Sequence, residues 1–220
     1  MSAAPSASPE ASPATMPIVT APGVAAASCI GGTRSADDAA ARRREKRDQR
    51  RERRFVARHF RDSGIGGVQV LVRIYNRRGW LTWAQDVEFS SFGLVFQAGR
   101  AWWGVSNMGG NGQFNRLSAL ADIDEGGGPW RDRLTEDQDL GVRLIQSGWA
   151  GVQDNDVAID QQGLNSIRRL YRQRTRWAQG NWQALGLLRG VFRPRLPLPG
   201  RIDTIFYLIT PIIQLLTGIA

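Results

Sequence analysis

Two residue types that carry common enzyme chemistries are nearly absent from this 220-residue sequence, which has one cysteine, Cys29, and one histidine, His59. A lone cysteine excludes an internal disulfide and a CxxC-type zinc cluster, and a lone histidine leaves little room for Ser-His-Asp catalysis. Large apolar side chains are almost missing from residues 1–41, where Ala, Ser, Pro, Thr and Gly dominate. Such a segment cannot bury enough surface to offset its chain entropy, so we expect residues 1–54 to be a disordered, low-complexity and basic segment.

Acidic residues are missing from one long stretch, and this absence helps to concentrate the net charge of +9. The segment Gln161–Ile202 holds nine arginines and no acid. The block Arg42–Arg54 holds nine basic and three acidic residues, as is typical of a solvated helix or a basic tail. Nucleic-acid binding is the weakest hypothesis, because this block is short, contains acids and has no recognisable fold around it.

From Phe55 onward the apolar pattern is that of a folded α/β domain. Alternating apolar residues over positions 68–74 predict a strand, and Val157–Ile159 is a second, shorter strand candidate. The segment Trp80–Gly99 predicts a helix, and Asn107–Arg116 is a glycine-rich turn region. The apolar residues of this helix that lie near one face are Trp80, Trp83, Ala84, Val87, Leu94 and Ala98.

Two further helices are predicted from their capping residues. Thr135 followed by Gln138 has the spacing of a capping box, and Gly148 is a natural stop for the helix that starts there. Asn165 can cap a long helix that runs to about Arg189. The first of these two helices has a predicted buried stripe of Leu140, Leu144 and Ile145.

The C-terminal residues 202–220 are strongly apolar, with Asp203 as their only charge. A helix of this length measures about 28 Å, close to the thickness of the hydrocarbon core of a bilayer, which favours a transmembrane helix. A buried core helix is the alternative, and Pro211 and Gln214 favour it. If the segment spans the membrane, the arginines before it place residues 1–201 in the cytoplasm by the positive-inside rule.

Asp137 is a candidate general base. It falls in the first turn of the predicted helix, where backbone N–H groups and the helix dipole favour an ionised carboxylate near neutral pH. An ionised carboxylate can take a proton from a sugar hydroxyl as that hydroxyl attacks. The alternative is a purely structural cap, the usual role of an acidic residue at a helix start.

The sequence Gln173-Arg-Thr-Arg-Trp177 is a candidate ligand-binding cluster. Its arginines can hold a diphosphate with paired donors, and the tryptophan offers a flat apolar surface for a sugar ring. A basic amphipathic helix on anionic lipid is the alternative, and both interpretations can hold at once. Three neighbouring arginines also favour the lipid interpretation: Arg168, Arg169 and Arg172.

In order along the chain, a glycine-rich segment GGNGQF, the motif TEDQDLG, the motif QRTRW and an apolar segment follow one another. This order resembles the processive, membrane-bound family-2 glycosyltransferases, such as cellulose, hyaluronan and poly-N-acetylglucosamine synthases. The resemblance covers roughly residues 55–220. It implies a partial nucleotide-diphospho-sugar transferase domain of the GT-A-like α/β class with a mixed sheet, formed by the acceptor-side half over 55–164. An interfacial QRTRW helix and linker over 165–201 and a transmembrane helix over 202–220 would follow.

The resemblance also implies roles for individual residues. Asp137 corresponds to the catalytic base, and Gln69 lies on a strand that resembles the family's VQ strand. The residues that would contact the donor diphosphate are Gln173, Arg174 and Arg176. The residues that would contact the acceptor are Trp177, Asn111, Gly112 and Glu136.

The family's metal site and nucleotide-binding half should precede residue 55. The family uses Mg²⁺ or Mn²⁺ held by a DxD pair, but Asp37-Asp38 follows no apolar strand, so we assign no metal ligand. The function expected is inverting transfer of a sugar from a nucleotide-diphosphate donor such as a UDP-sugar to a hydroxyl acceptor at the cytoplasmic membrane. The acceptor would be a saccharide, such as a growing polysaccharide, or a lipid-linked molecule. The alternative is an inactive or truncated relative that lacks the donor half, or a subunit that needs a partner.

Overall fold

The structure, a computed structural model, describes residues 18–20, 54–192 and 196–219. Most of the predicted disordered segment, including Asp37-Asp38, lies outside the described residues. One part of that segment departs from the prediction, because Ile18–Thr20 forms a β-strand.

The sheet is mixed, as the resemblance implied. Its strands are β1 (Ile18–Thr20), β2 (Ile65–Ile74), β3 (Gln113–Arg116) and β4 (Ala150–Gln161), in the order β1-β3-β2-β4. β3 is antiparallel to both of its neighbours, whereas β2 and β4 are parallel. β2 contains the strand predicted over 68–74, and β4 extends well beyond the three residues predicted for it. The sheet and its flanking helices are consistent with a GT-A-like domain.

The segment predicted as one helix over Trp80–Gly99 is helical but changes its winding. It consists of α1 (Trp80–Ser91), a π-helical stretch (Phe92–Gln97) and α2 (Ala98–Ala101). Its polar side faces the sheet: the Gln85 amide bonds the main chain of Leu164 in both directions, and Asp86 accepts the N–H of Ile74. These polar side chains satisfy backbone N–H and C=O groups where strands end. The helix therefore buries this polar face against the sheet. The predicted apolar face is therefore exposed.

The helix predicted from Thr135 is confirmed. α3 (Leu117–Ile123) precedes it, and α4 (Glu136–Gln146) begins directly after Thr135. The predicted capping box does not form: the Thr135 hydroxyl donates to the Gln138 side chain and accepts no backbone N–H of the helix. Gly148 has a φ of 95° and follows the helix end, as a glycine stop requires. The predicted stripe of Leu140, Leu144 and Ile145 is buried in the core.

The arginine-rich helix α5 (Ile167–Ala184) begins after Ser166, one residue later than predicted, and continues as a 3₁₀ segment over Leu185–Phe192. It crosses the start of α4 at very short range. A Cβ atom added to Gly180 would lie 2.4 Å from the Thr135 side chain. Only glycine permits this approach, and the crossing fixes where the QRTRW residues lie relative to the TED turn.

The C-terminal segment is helical, as α6 (Leu198–Ile219), but the predicted membrane span is not supported. Within the residues that the structure describes, no helix combines the length and the apolar character needed to cross a bilayer. One side of α6 packs on the domain instead. Asp203 pairs with Arg100 at 2.7 Å, and Thr204 and Leu208 are buried.

Candidate active site

Asp137 is the second residue of α4 and lies half-buried where three segments meet. Its Oδ1 accepts the backbone N–H of Gln138 at 2.9 Å, which is the helix-start interaction expected from the sequence. Burial raises the pKa of the Asp137 carboxyl, and the negative charge of Glu136 adds to this, whereas backbone N–H groups and Arg176 lower it. The net shift is upward because burial outweighs the helix start.

The glycine-rich segment packs directly on this carboxylate. A Cβ atom on Gly110 would lie 2.9 Å from Oδ2 of Asp137, and the φ of Gly110 is +79°. Gly112, with a φ of +72°, approaches Val70 of the central strand equally closely. Main chain rather than side chain therefore lines this side of Asp137, and the contact is too close to admit even a methyl group.

Gln69 on β2 holds the same segment in place from below. Its Oε1 accepts the N–H of Gly109 at 2.8 Å, and its Nε2 donates to the carbonyl of Asn111 at 2.6 Å. The Asn111 side chain donates to Gln161 at 2.7 Å at the end of β4. The segment is thus fixed at both main chain and side chain, and Gln69 acts as a positioning residue for it.

Helix α5, which carries the QRTRW residues, packs beside the TED turn through Gly180 and Thr135. The positive charge of Arg176 acts on the Asp137 carboxyl, and Leu134, next to the TED turn, donates its N–H to Gln183 of the same helix. Arg176 is exposed, and the half-buried Gln173 lies one turn before it. Glu136 is exposed beside Asp137 and acts on it by charge.

Arg174 and Arg176 leave α5 on different sides, because residues two apart on an α-helix project about 200° apart. Arg174 pairs with Glu88 of α1 at 2.6 Å and lies 4.3 Å from the centre of the Trp177 ring. The edge of that ring contacts Phe89. Arg174 therefore holds Trp177 against α1, with the guanidinium over one face of the indole.

Two residues near the base were not found from the sequence. Asn107, which is fully buried, donates from Nδ2 to the Tyr207 hydroxyl on α6 at 2.9 Å. Tyr207 lay within the predicted membrane span, which gave no reason to place it beside Asp137. No local pattern marked Asn107 either: its close approach to Gly141, where a Cβ atom would lie 1.9 Å from Oδ1 of Asn107, appears only in the structure.

Mg²⁺ and Mn²⁺ prefer several oxygen ligands, including carboxylates, arranged around one point. Among the residues that the structure describes, no group of three or more His, Cys, Asp or Glu side chains could hold such an ion. Asp139, two residues after Asp137 in α4, is paired with Arg143 at 2.6 Å. The described residues therefore do not fit the family's metal.

A helix-tip carboxylate that faces an arginine-bearing helix across a glycine segment, on a mixed sheet, is the arrangement expected of a glycosyltransferase. A family model described as glycosyl transferase family group 2 matches residues 52–218. The chain belongs to this family, and the prediction of a family-2 glycosyltransferase is confirmed.

The curated relatives are similar over part of their length. The chain is 35% identical over 126 residues to a β-monoglucosyldiacylglycerol synthase of Trichormus variabilis, and 31% identical over 133 residues to one of Synechocystis sp.. The alignments cover 56% and 59% of this chain but only 26% and 27% of the relatives. The chain therefore spans about a quarter of the relatives it matches. These relatives are named as glycolipid synthases, and the processive subfamily is not confirmed.

Proposed function

We propose that this chain carries the acceptor-side part of an inverting glycosyltransferase. It would move a sugar from a nucleotide-diphosphate donor, a UDP-sugar in our proposal, to a hydroxyl of a lipid-linked acceptor. The observation that carries the proposal is the position of Asp137 at the start of α4, against the main chain of Gly110 and under the influence of the charge of Arg176. A general base needs a pKa near the working pH, and burial shifts that of Asp137 in this direction.

In the proposed reaction, Asp137 takes the proton of the acceptor hydroxyl while the oxygen attacks the anomeric carbon of the donor sugar. The bond between that carbon and the diphosphate oxygen breaks on the opposite face, so the configuration inverts and the nucleoside diphosphate leaves. Arg176 offsets the charge that develops on the diphosphate. The face of Trp177 not covered by Arg174 offers a stacking surface for the acceptor sugar.

A divalent ion bound to the donor would neutralise charge on the diphosphate. The described residues offer this ion no ligand set. A partner subunit, or a further part of a longer protein, would then supply the nucleotide-binding half. An inactive relative that keeps only the scaffold is the competing proposal.

A lipid-linked acceptor is favoured over a growing polysaccharide by two observations. The relatives are named for a glucosylated diacylglycerol. The structure also exposes a large apolar surface on α1, the π-helical stretch and α2, where the exposed fraction reaches 87% at Trp102. Clusters of exposed apolar side chains mark binding sites for lipid or protein. The residues that form it are Trp80, Trp83, Val87, Phe92, Leu94, Val95, Phe96, Trp102 and Trp103.

We propose that this surface and the arginines of α5 rest on the cytoplasmic leaflet of a membrane. Tryptophan is enriched at the level of lipid head groups, and anionic lipids there attract arginine. Sedimentation with vesicles is the test. Binding should be stronger to anionic than to zwitterionic vesicles, and Trp102→Ser with Phe96→Ser should weaken both. Equal recovery of wild type and variant with the vesicles would refute this attachment.

The tests use this chain together with the part that supplies the nucleotide-binding half. Turnover of UDP-sugars with diacylglycerol-type acceptors, followed as UDP release, tests the reaction. Asp137→Asn should abolish transfer and leave donor binding nearly unchanged, because the amide cannot take the proton. Asp132→Asn is the matched control, since Asp132 is an exposed acid five residues earlier. Equal turnover in Asp137→Asn and wild type would refute the assignment. Absence of any protection by UDP-sugars against thermal unfolding, with or without a divalent ion, would favour the inactive relative.

A further inference from the structure

Helix α6 reaches the neighbourhood of the catalytic base through one side chain. The hydroxyl of Tyr207 accepts a hydrogen bond from the fully buried Asn107 at 2.9 Å, and the Gln138 side chain lies close enough to influence it. Gln138 is also the residue whose backbone N–H bonds Asp137. One hydroxyl thus joins α6, the segment that leads into the glycines and the first turn of α4.

The ring of Tyr207 is itself held in place. The guanidinium of Arg100 lies 4.0 Å from the ring centre, and Arg100 pairs through Nε with Asp203, which precedes Tyr207 by one helical turn. Cation–π contact and ion pair together restrict the ring to one position. Burial raises the pKa of the Tyr207 hydroxyl, and the charge of Asp137 also raises it. The partner of this hydroxyl, Asn107, lies against Gly141, one turn after Asp137 on α4.

Asn107, at the other end of this hydrogen bond, is also held in place. Gln97 accepts the backbone N–H of Asn107 at 3.0 Å and donates to its carbonyl at 3.2 Å. Three residues later the chain reaches Gly110, which packs on Asp137. Loss of the Tyr207 hydroxyl would leave the buried Asn107 side chain without its acceptor and would alter the surroundings of Gln138, whose backbone N–H bonds Asp137.

We propose that Tyr207 is a positioning residue for Asp137, through which the docking of α6 sets the place of the catalytic base. This inference rests on the proposed function, because it assigns Asp137 the role of base. Tyr207 would act through Asn107 and Gln138 and would not touch the substrate. The C-terminal helix α6 would then help to set the geometry of the active site.

Tyr207→Phe is the informative variant, because it removes the hydroxyl and keeps the ring under Arg100. Thr204→Val is the matched control. Thr204 is fully buried on the same helix, and its hydroxyl donates only to Gly200 of the preceding turn. Both variants disturb the docked face of α6, but only the first removes a bond to the residues beside Asp137. Thermal unfolding should place both variants within about 5 °C of wild type.

The first measurement is the titration of the Asp137 carboxyl by carbon-13 NMR, without substrate. We expect its pKa to fall toward the ordinary value by at least about half a unit in Tyr207→Phe, because unpaired amides admit water to the buried carboxylate. Glu136 and Arg176, the other charges that act on Asp137, are unchanged in both variants. Thr204→Val should titrate as wild type. A wild-type titration in Tyr207→Phe, or an equal shift in the control, would overturn the inference.

The second measurement is turnover. Tyr207→Phe should lower kcat about tenfold and change KM for donor and acceptor less than twofold, since orientation of the base and not binding is affected. Thr204→Val should leave both constants unchanged. If Asp137→Asn retains turnover, the proposed function fails. If Asp137→Asn is inactive but Tyr207→Phe keeps the wild-type kcat, only the role of Tyr207 fails.

Discussion

Replacement of Gly110 by alanine tests whether the glycine segment holds the base in place. Two costs follow from the structure. The backbone at a φ of +79° is unfavourable for any residue with a Cβ atom, by about 1–2 kcal/mol. The new methyl group would also lie 2.9 Å from Oδ2 of Asp137, so the carboxylate must move by about half an ångström to restore ordinary contact at ~3.5 Å. A displacement of this size at a reacting group should lower turnover about 10-fold to 100-fold.

Gly126→Ala separates the two costs. Gly126 has a φ of +96°, so alanine is strained there as well, but no atom lies within 4 Å of the added Cβ. Both variants should lower Tm by about 2–8 °C, whereas only Gly110→Ala should lower turnover and alter the titration of Asp137. Thermal unfolding, UDP release and carboxyl NMR measure the three quantities. Equal turnover in the two alanine variants would refute the contact between the glycine segment and the base.

Two further predictions follow from the electrostatics of Asp137. Its folded-state pKa lies above the unfolded value, so the wild type loses stability as pH rises from the ordinary pKa of an aspartate to the raised one. Asp137→Asn should therefore have a higher Tm than wild type at pH 7 and an equal Tm at about pH 3, where the carboxyl is protonated in both states; a constant difference across this range would contradict the prediction. Arg176→Gln removes a charge that lowers the pKa of Asp137, so the carboxyl titration and the acidic limb of the rate profile should move to higher pH. Arg172→Gln, a neighbouring exposed arginine, should leave the titration in place.

Local signals in the sequence located most elements and the main site residues. Thr135 with Gln138, and Gly148, placed both ends of α4, because capping depends on a few adjacent residues. The same motif identified Asp137, and its helix-start environment is present. The family was also identifiable from short motifs, since these residues stand in a fixed order along the chain.

The packing partners of each face were decided by the tertiary structure. The apolar stripe beginning at Trp80 resembles a core stripe, but α1 buries Gln85 and Asp86 instead, because strand ends nearby have backbone groups that need partners. Arg174 was assigned to the donor, but Glu88, distant in sequence, pairs with it. The segment over 202–220 has the composition of a membrane helix, but Arg100 and Asn107 engage Asp203 and Tyr207 on its inner side.

The sequence by itself determined where α4 begins and ends, which carboxylate is the candidate base and which family the chain belongs to. These properties depend on neighbouring residues and on motif order. Only the tertiary structure decided which side of α1 is exposed, which arginine faces Asp137 and how α6 meets the base. Those properties depend on contacts between residues far apart in the chain, such as Asn107 with Tyr207, and no local pattern records them.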